Sequence, residues 1–344
     1  MNPQTPPPAQ SHCTSSQQTS NLTPLSLGEG LGVRTKDKLL KQIINYLRLN
    51  HALDAAFLIS KQTHTHITNN NLTPTPTHQT RTFTYTLLIF TNKTVIASEA
   101  KQPRHPTPPL LGRGGRGVRT QPNPAQITDE LYNHTQKQAK VYLIMMDAAI
   151  ASQKLDSGCN FLVYFIKNSP QVFSIDNHWL RFKNSNIITH PIIDKEINHQ
   201  WSTRFKRATY LHNLTVYNEM DQDPVAYFEV LQKVIEQTCL GLIYVFWQYK
   251  PSYTGLTYLL HLCSLFTDLP SKIFNTHTFE NHQILHNLTH ANHNLKYKTR
   301  HTITQKQIDK AWKKCHTFLE QSKALVNIRE SGYPVNQTSQ TKTN

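Results

Sequence analysis

The stretch PVAYFEVLQKVIEQTCLGLIYVFWQY (residues 224–249) predicts one long helix and decides the fold class of the second half of the chain. Apolar side chains recur along it at helical spacing, at positions 227, 230, 231, 234, 235, 242, 245 and 246. Asp223 is a favourable N-cap, and Pro224 suits the first helical position. The apolar stripe is wide, which predicts that this helix is central to a bundle rather than a surface element.

Further helices are predicted on both sides of this segment. Helical periodicity is present in RFKRATYLHNLTVYNEM (204–220), GLTYLLHLCSLF (255–266), ENHQILHNLTHANHNL (280–295) and TQKQIDKAWKKCHTFLEQSKAL (304–325). Thr304 precedes Gln307 by three residues, which is the spacing of a capping box. Helices joined by short turns predict an all-α antiparallel bundle over residues 199–325, followed by a loose tail over 326–344.

The first half of the chain mixes short helices and strands, which predicts a small α+β domain over residues 37–176. Helices are expected at 37–50, at 128–139 with Thr128 as N-cap, and directly after Asp147. Strands are expected at 55–60, 81–92 and 140–147, and a polar loop between the first two. The apolar segments NFLVYFIK (160–167) and QVFSID (171–176) flank Asn-Ser-Pro and are expected to form a hairpin.

Two similar segments lie outside this pattern. TPLSLGEGLGVRTK (23–36) and TPPLLGRGGRGVRTQ (107–121) resemble translated dispersed repeats. The second contains the spacing G-x-G-x-x-G, but prolines lie on both flanks, where dinucleotide binding needs a strand and a helix. We therefore interpret residues 1–36 as a disordered extension and residues 94–124 as an insertion into the first domain.

Composition favours an anionic partner and offers no metal or redox centre. The formal net charge is +15, and residues 296–314 hold seven Lys or Arg and one Asp. No cysteines are spaced as C-x-x-C, and Cys239 and Cys263 lie in apolar helical patterns, which fits a reducing compartment. His290 and His293 lack a third metal ligand in sequence. No apolar run is long enough to span a bilayer, so a cytoplasmic protein without cofactor, metal or membrane partner is expected.

The second half of the chain resembles the bacterial HEPN domain over residues 199–325. The resemblance rests on Arg207-Ala208, Phe228, Gln232, Glu236-Gln237, Tyr249-x-Pro251 and the segment around Lys296-Tyr297-Lys298. It implies a helical bundle that forms a homodimer through its helices. It also implies binding of nucleotide or RNA, for which Lys296, Lys298 and Arg300 would hold phosphates and Tyr297 would stack on a base. The alternative is that Tyr297 anchors the core and the lysines are only solvated.

The first half resembles the minimal nucleotidyltransferase domain that often precedes HEPN. That family binds Mg²⁺ through an Asp-x-Asp pair and binds the triphosphate through a Gly-Ser turn. Here Thr84-Tyr85-Thr86 and FLISKQ (57–62) stand at those places. Asp147 is the remaining candidate acid, and its simpler interpretation is a residue at the end of a strand. The resemblance therefore implies a degenerate domain without nucleotidyl transfer.

Two further interpretations remain open. HEPN ribonucleases use Arg-x4–6-His, and the chain has that spacing at Arg207 and His212, although on the first helix of the predicted bundle rather than a later one. A ribonuclease of a toxin–antitoxin type is therefore an alternative to a non-catalytic binding module. The third possibility is a decayed scaffold protein.

Overall fold

The computed structural model describes residues 37–68, 78–92, 123–189, 194–217, 223–297 and 303–330. Residues 1–36 and nearly all of 94–124, predicted to be an extension and an insertion, lie outside these ranges. The strands are β1 Leu53–Thr68, β2 His78–Thr91, β3 Ala139–Asp147 and β4 Gln171–Ser174. The helices of the first half are α1 Lys38–Asn50, α2 Pro124–His134, α3 Ala148–Asp156, α4 Asn160–Asn168 and α5 His178–Asn184. Those of the second half are α6 Asp194–Tyr217, α7 Pro224–Trp247, α8 Leu256–Ser264, α9 Leu269–Ile273, α10 Phe279–Thr289, α11 Ala291–Tyr297 and α12 Gln305–Glu330.

The four strands form one mixed sheet in the order β3-β2-β1-β4. β2 pairs with β3 in parallel, and β1 pairs antiparallel with both β2 and β4. The predicted fold class is confirmed at this level: a small mixed sheet is followed by a mostly helical region. The sheet separates two packed faces, because successive side chains of a strand point to opposite sides.

The polar stretch between the first two strands is not the long loop that was predicted. β1 continues to Thr68 and β2 begins at His78, and the two pair from Leu53 opposite Thr91 to Thr68 opposite His78. Threonines alternate through this stretch, and β-branched residues favour the extended backbone. The high polar content led to the prediction of a loop, although the β-branched residues favour strands.

The predicted hairpin over 160–176 is wrong in its first arm. Residues 160–168 form α4, and only the second arm is a strand, β4, which pairs with β1 rather than with its neighbour in sequence. The side chains of Phe161, Leu162, Val163, Phe165 and Ile166 are all buried. A short, uniformly apolar run has no periodicity that distinguishes a helix from a buried strand.

The helix predicted to begin after Thr128 begins five residues earlier. Asn123 is the N-cap of α2, and its side chain accepts a hydrogen bond from the amide of Ala125 at 3.0 Å. Pro124 occupies the first turn, where its missing N–H costs nothing. Thr128 lies inside the helix, and its hydroxyl donates to the carbonyls of Pro124 and Val141 at 2.9 and 2.8 Å.

The long helix α7 lies where the sequence predicts, with α6, α8, α10, α11 and α12 packed against it. The side chain of Asp223 caps it by accepting from the amides of Val225 and Ala226. Every residue from 224 to 249 is buried or half-buried. Its wide apolar surface is therefore covered within this chain.

The other helices differ from prediction at several places. α6 begins at Asp194 rather than at residue 204, and the short helix α9 was not predicted. The segment 280–295 is broken at His290 into α10 and α11, rather than forming one helix. α12 continues to Glu330 and Val326 is fully buried, so the helix extends into the segment that was predicted to be a loose tail. Thr304 and Gln307 form the predicted capping box: the amide of Thr304 donates to Gln307 Oε1 at 3.0 Å, and the amide of Gln307 to Thr304 Oγ1 at 3.4 Å.

A substitution at Gly241 is expected to separate α6 from α7. A Cβ atom at this position would lie 2.8 Å from Cε3 of the buried Trp201 ring and 3.4 Å from Cβ of Arg204. Gly241→Ala should therefore lower the free energy of unfolding by about 1–3 kcal/mol, as for an overpacked core. Urea unfolding followed by circular dichroism measures the loss. A value within error of the parent protein would contradict the close helix contact.

Candidate functional site

The face of the sheet opposite α1 and α2 carries the positions where an active nucleotidyltransferase would need carboxylates. Thr84 and Thr86 of β2 point to this face, and both are buried. Ser60 of β1 donates its hydroxyl hydrogen to Thr86 Oγ1 at 2.8 Å. Thr84 Oγ1 lies 3.2 Å from Nε2 of His64. Hydroxyl and imidazole side chains therefore surround this part of β2, and these side chains offer no carboxylate to a metal ion.

His261 of α8 covers Thr86 from the helical side. Its Nε2 lies 2.7 Å from Thr86 Oγ1, and its ring stacks on Tyr142 of β3 with centroids 3.7 Å apart and planes 9° apart. Since the Thr86 oxygen already accepts from Ser60, its own hydrogen is available to donate to Nε2 of a neutral imidazole. Burial, and secondarily the nearby Lys140 ammonium, lower the pKa of His261 to about 3. This contact joins the helical region to the sheet through an uncharged histidine.

Two acids at the ends of strands have structural partners. Asp147 lies at the end of β3 and caps α3 by accepting from the amide of Ile150 at 3.1 Å. Asp54 of β1 accepts from the indole Nε1 of Trp179 at 2.6 Å and from Asn92 Nδ2 at 2.9 Å. Asp147 also lines a cavity of about 470 Å³. That cavity lies between the end of β3 and the end of α7, and Lys154 and Lys250 also line it.

Arg207 and His212 are not brought together. Both lie on α6, but five residues turn an α-helix by roughly 500°, so the two side chains leave it in different directions. Arg207 is exposed, whereas His212 is buried with its ring 4.9 Å from Trp312 and 5.2 Å from His316 of α12. Burial, and then His316, lower the pKa of His212. Within one chain, therefore, the two do not form an acid–base pair around a shared phosphate.

The predicted binding residues lie at the end of α11. Lys296 is exposed, and Tyr297 is 73% exposed, with its ring centroid 4.9 Å from that of His293. Tyr297 is therefore not a core anchor, and its stacking on a base stays a prediction. Lys298 and Arg300 lie outside the described residues.

The histidines and cysteines considered in the sequence analysis have structural contacts. His290 ends α10, where its Nδ1 lies 2.9 Å from the carbonyl oxygen of His286, and His293 follows it on α11. Across the described ranges, no three His, Cys, Asp or Glu side chains come together as a metal site would need. Cys239 and Cys263 are fully buried, as expected from their apolar surroundings, and burial raises the pKa of the Cys239 thiol.

Two side-chain arrangements were missed by sequence reasoning. His261 and Thr86 are 175 residues apart, and no local pattern connects them. Arg204 lies one turn before Arg207 on α6, and the two guanidinium groups converge on Gln237 of α7. The spacing of three residues between the arginines was the available signal, because side chains at i and i+3 share a helix face.

No known protein-family model matches this chain, and no curated protein matches it either. No helix within the described ranges is both long enough and apolar enough to cross a membrane.

Proposed function

We propose that this chain is a HEPN-type protein that acts as a non-catalytic module for binding nucleotide or RNA. The observation that carries the proposal is the Tyr297 side chain, 73% exposed beside the exposed Lys296 and followed in sequence by Lys298 and Arg300. An exposed aromatic ring among cations suits a base and its phosphate, since stacking and charge act together on single-stranded nucleic acid. The formal net charge of +15 favours the same class of partner.

The non-catalytic part of the proposal is supported by the sheet. Nucleotidyl transfer needs carboxylates that hold Mg²⁺ against phosphate oxygens, and Thr84 and Thr86 take their place. We infer that the mixed sheet is a degenerate nucleotidyltransferase-like domain. A ribonuclease has less support, because the exposed Arg207 and the buried His212 leave α6 in different directions.

The same proposal treats the helical region as an antiparallel HEPN bundle. The support is α7, which is covered along its length by five other helices of the chain. A homodimer remains a prediction of the resemblance. Its contact would come from helices other than α7, since α7 presents no exposed residue over 224–249.

Replacing Tyr297 with alanine should weaken nucleic-acid binding. Base stacking contributes about 1–3 kcal/mol per base, so Tyr297→Ala should weaken binding of a labelled RNA of about 15 nucleotides by roughly 5- to 150-fold. Fluorescence polarisation of the full chain measures this, with labelled ATP as a second probe and each titration run at low and high salt. Affinity should fall as salt rises, because phosphate contacts release counterions.

The matched control is Tyr164→Ala on α4, where the side chain is 44% exposed. It should leave both affinities unchanged. Equal losses in the two variants, or no binding by the parent protein, would exclude Tyr297 as the base-binding residue. Intact RNA at the end of each titration is expected, and cleavage by the parent protein would overturn the non-catalytic assignment.

A further inference from the structure

The contact between α6 and α7 holds two arginines in fixed positions. Gly241 allows the two helices to approach, with the Trp201 ring and the stem of Arg204 lying against it. Gln237 lies four residues before Gly241 on the same helix, and its side chain is 9% exposed. Residues four apart share a helix face, so this close contact places Arg204 over Gln237.

Both guanidinium groups converge on one neutral oxygen. Arg204 Nη1 donates to Gln237 Oε1 at 2.7 Å, and Arg207 Nη1 donates to the same atom at the longer distance of 3.4 Å. A single amide oxygen neutralises neither charge. Among the residues that the structure describes, no carboxylate lies within ion-pairing distance of either arginine.

The nearest acid is already occupied. Glu236 accepts from Lys233 Nζ at 2.8 Å, so its charge is shared with another cation. Burial, and then the neighbouring Arg207, lower the pKa of Arg204 despite the opposing effect of Glu236. Lys233 also interacts with Glu229, so the two carboxylates here lie beside the lysine. An anion at the arginines would be stabilised by direct hydrogen bonds and by relief of the repulsion between Arg204 and Arg207.

We propose that Arg204 and Arg207 form a phosphate-binding site, with Gln237 fixing the orientation of both guanidinium groups. Arginine suits this ligand because its planar donors match two oxygens of one phosphate group. The site gives Arg207 a binding role with Arg204, rather than a catalytic role with His212. It lies on α6 and uses neither Lys296 nor Tyr297, so it does not depend on the function proposed above.

Titration calorimetry of the full chain with inorganic pyrophosphate tests the site directly. Arg204→Gln and Arg207→Gln should each weaken binding by about tenfold or more, as for loss of a charged hydrogen bond. The matched control is Arg48→Gln on α1, which removes the same charge from an exposed position elsewhere. It should change the affinity less than about twofold, as screened surface charges do.

Gln237→Glu separates binding from folding. The new carboxylate would lie under both arginines, where it neutralises their excess charge and competes with phosphate. The variant should unfold at a higher temperature than the parent and bind pyrophosphate at least about tenfold more weakly. A role that is only structural predicts higher stability with unchanged phosphate affinity.

The outcomes are distinct. Loss in both arginine variants and in Gln237→Glu, with Arg48→Gln unaffected, supports the site; absent binding or equal loss in Arg48→Gln overturns it. Parallel titrations with ATP and with the 15-nucleotide RNA, about the length one binding module covers, identify which molecule carries the phosphate. If Tyr297→Ala weakens RNA binding and Arg204→Gln does not affect any phosphate probe, the proposed function stands and this inference fails.

Discussion

Lowering the pH from about 7.5 to about 5 is expected to destabilise this protein by about 2 kcal/mol through His261 alone. Burial in the contact with Thr86 and Tyr142, and then Lys140, lower the pKa of His261 to about 3 in the folded chain, against an ordinary value of 6.5. The unfolded chain therefore binds a proton more readily. Stability contributed by this group is complete above pH 6.5 and is lost as the pH falls towards the folded pKa, at about 1.4 kcal/mol per pH unit.

His261→Phe isolates this contribution. The phenyl ring retains the stacking on Tyr142 but carries no titrating nitrogen. The variant should lose about 1 kcal/mol at neutral pH, where the hydrogen bond with Thr86 is absent. Between the two pH values, the variant should then lose about 2 kcal/mol less of its free energy of unfolding than the parent protein does.

Urea unfolding at the two pH values measures both effects, and an exposed histidine provides the control. His277 lies between α9 and α10, and His277→Gln should leave the pH dependence of the parent intact. The pKa values of His51 and His212 are also lowered by burial, so part of the dependence will persist in His261→Phe. An unchanged pH dependence in His261→Phe would show that the imidazole is not buried against the sheet.

The contact between His261 and Thr86 could not be predicted from the sequence, and the reason is physical. Periodicity and capping are local, so α7 and the capping box at Thr304 were predicted, as were the apolar parts of β1, β2 and β3. The sequence also shows directly that threonines, not carboxylates, occupy positions 84 and 86. His261 covers Thr86, and it reaches that side chain only after two separate regions have folded and packed.

Two local errors have a related origin. The segment 160–167 is apolar at nearly every position, and burial on several sides removes the alternation that identifies a strand or a helix face. The threonine-rich stretch after Ser60 has the opposite character, since its polar side chains suggested a loop while its β-branched backbone preference favoured β1 and β2. In both cases tertiary context, rather than composition, decided the element.

Replacing Trp179 with alanine is expected to cost about 3–5 kcal/mol, the range for large aromatic residues in a core. The side chain is 1% exposed, and its ring stacks on Phe90 of β2 with centroids 4.2 Å apart. Its indole nitrogen donates to Asp54 of β1 at 2.6 Å. One residue of α5 thus contacts both central strands of the sheet.

Trp179→Phe tests the indole hydrogen bond separately from the volume of the ring, and Tyr164→Ala serves as the exposed control. Trp179→Phe retains much of the volume but removes the indole donor, so that Asn92 alone of this pair donates to Asp54 and a loss of about 1–3 kcal/mol is expected. Tyr164 of the adjacent α4 is 44% exposed, and its replacement should cost less than about 1 kcal/mol. Urea unfolding monitored by circular dichroism gives all three values. In sequence, β1 and β2 come before residues 93–122, and α5 comes after them. A large loss of unfolding free energy in Trp179→Ala therefore requires that α5 packs on the sheet despite the intervening segment. A loss as small as that of Tyr164→Ala would mean that α5 does not pack on the sheet.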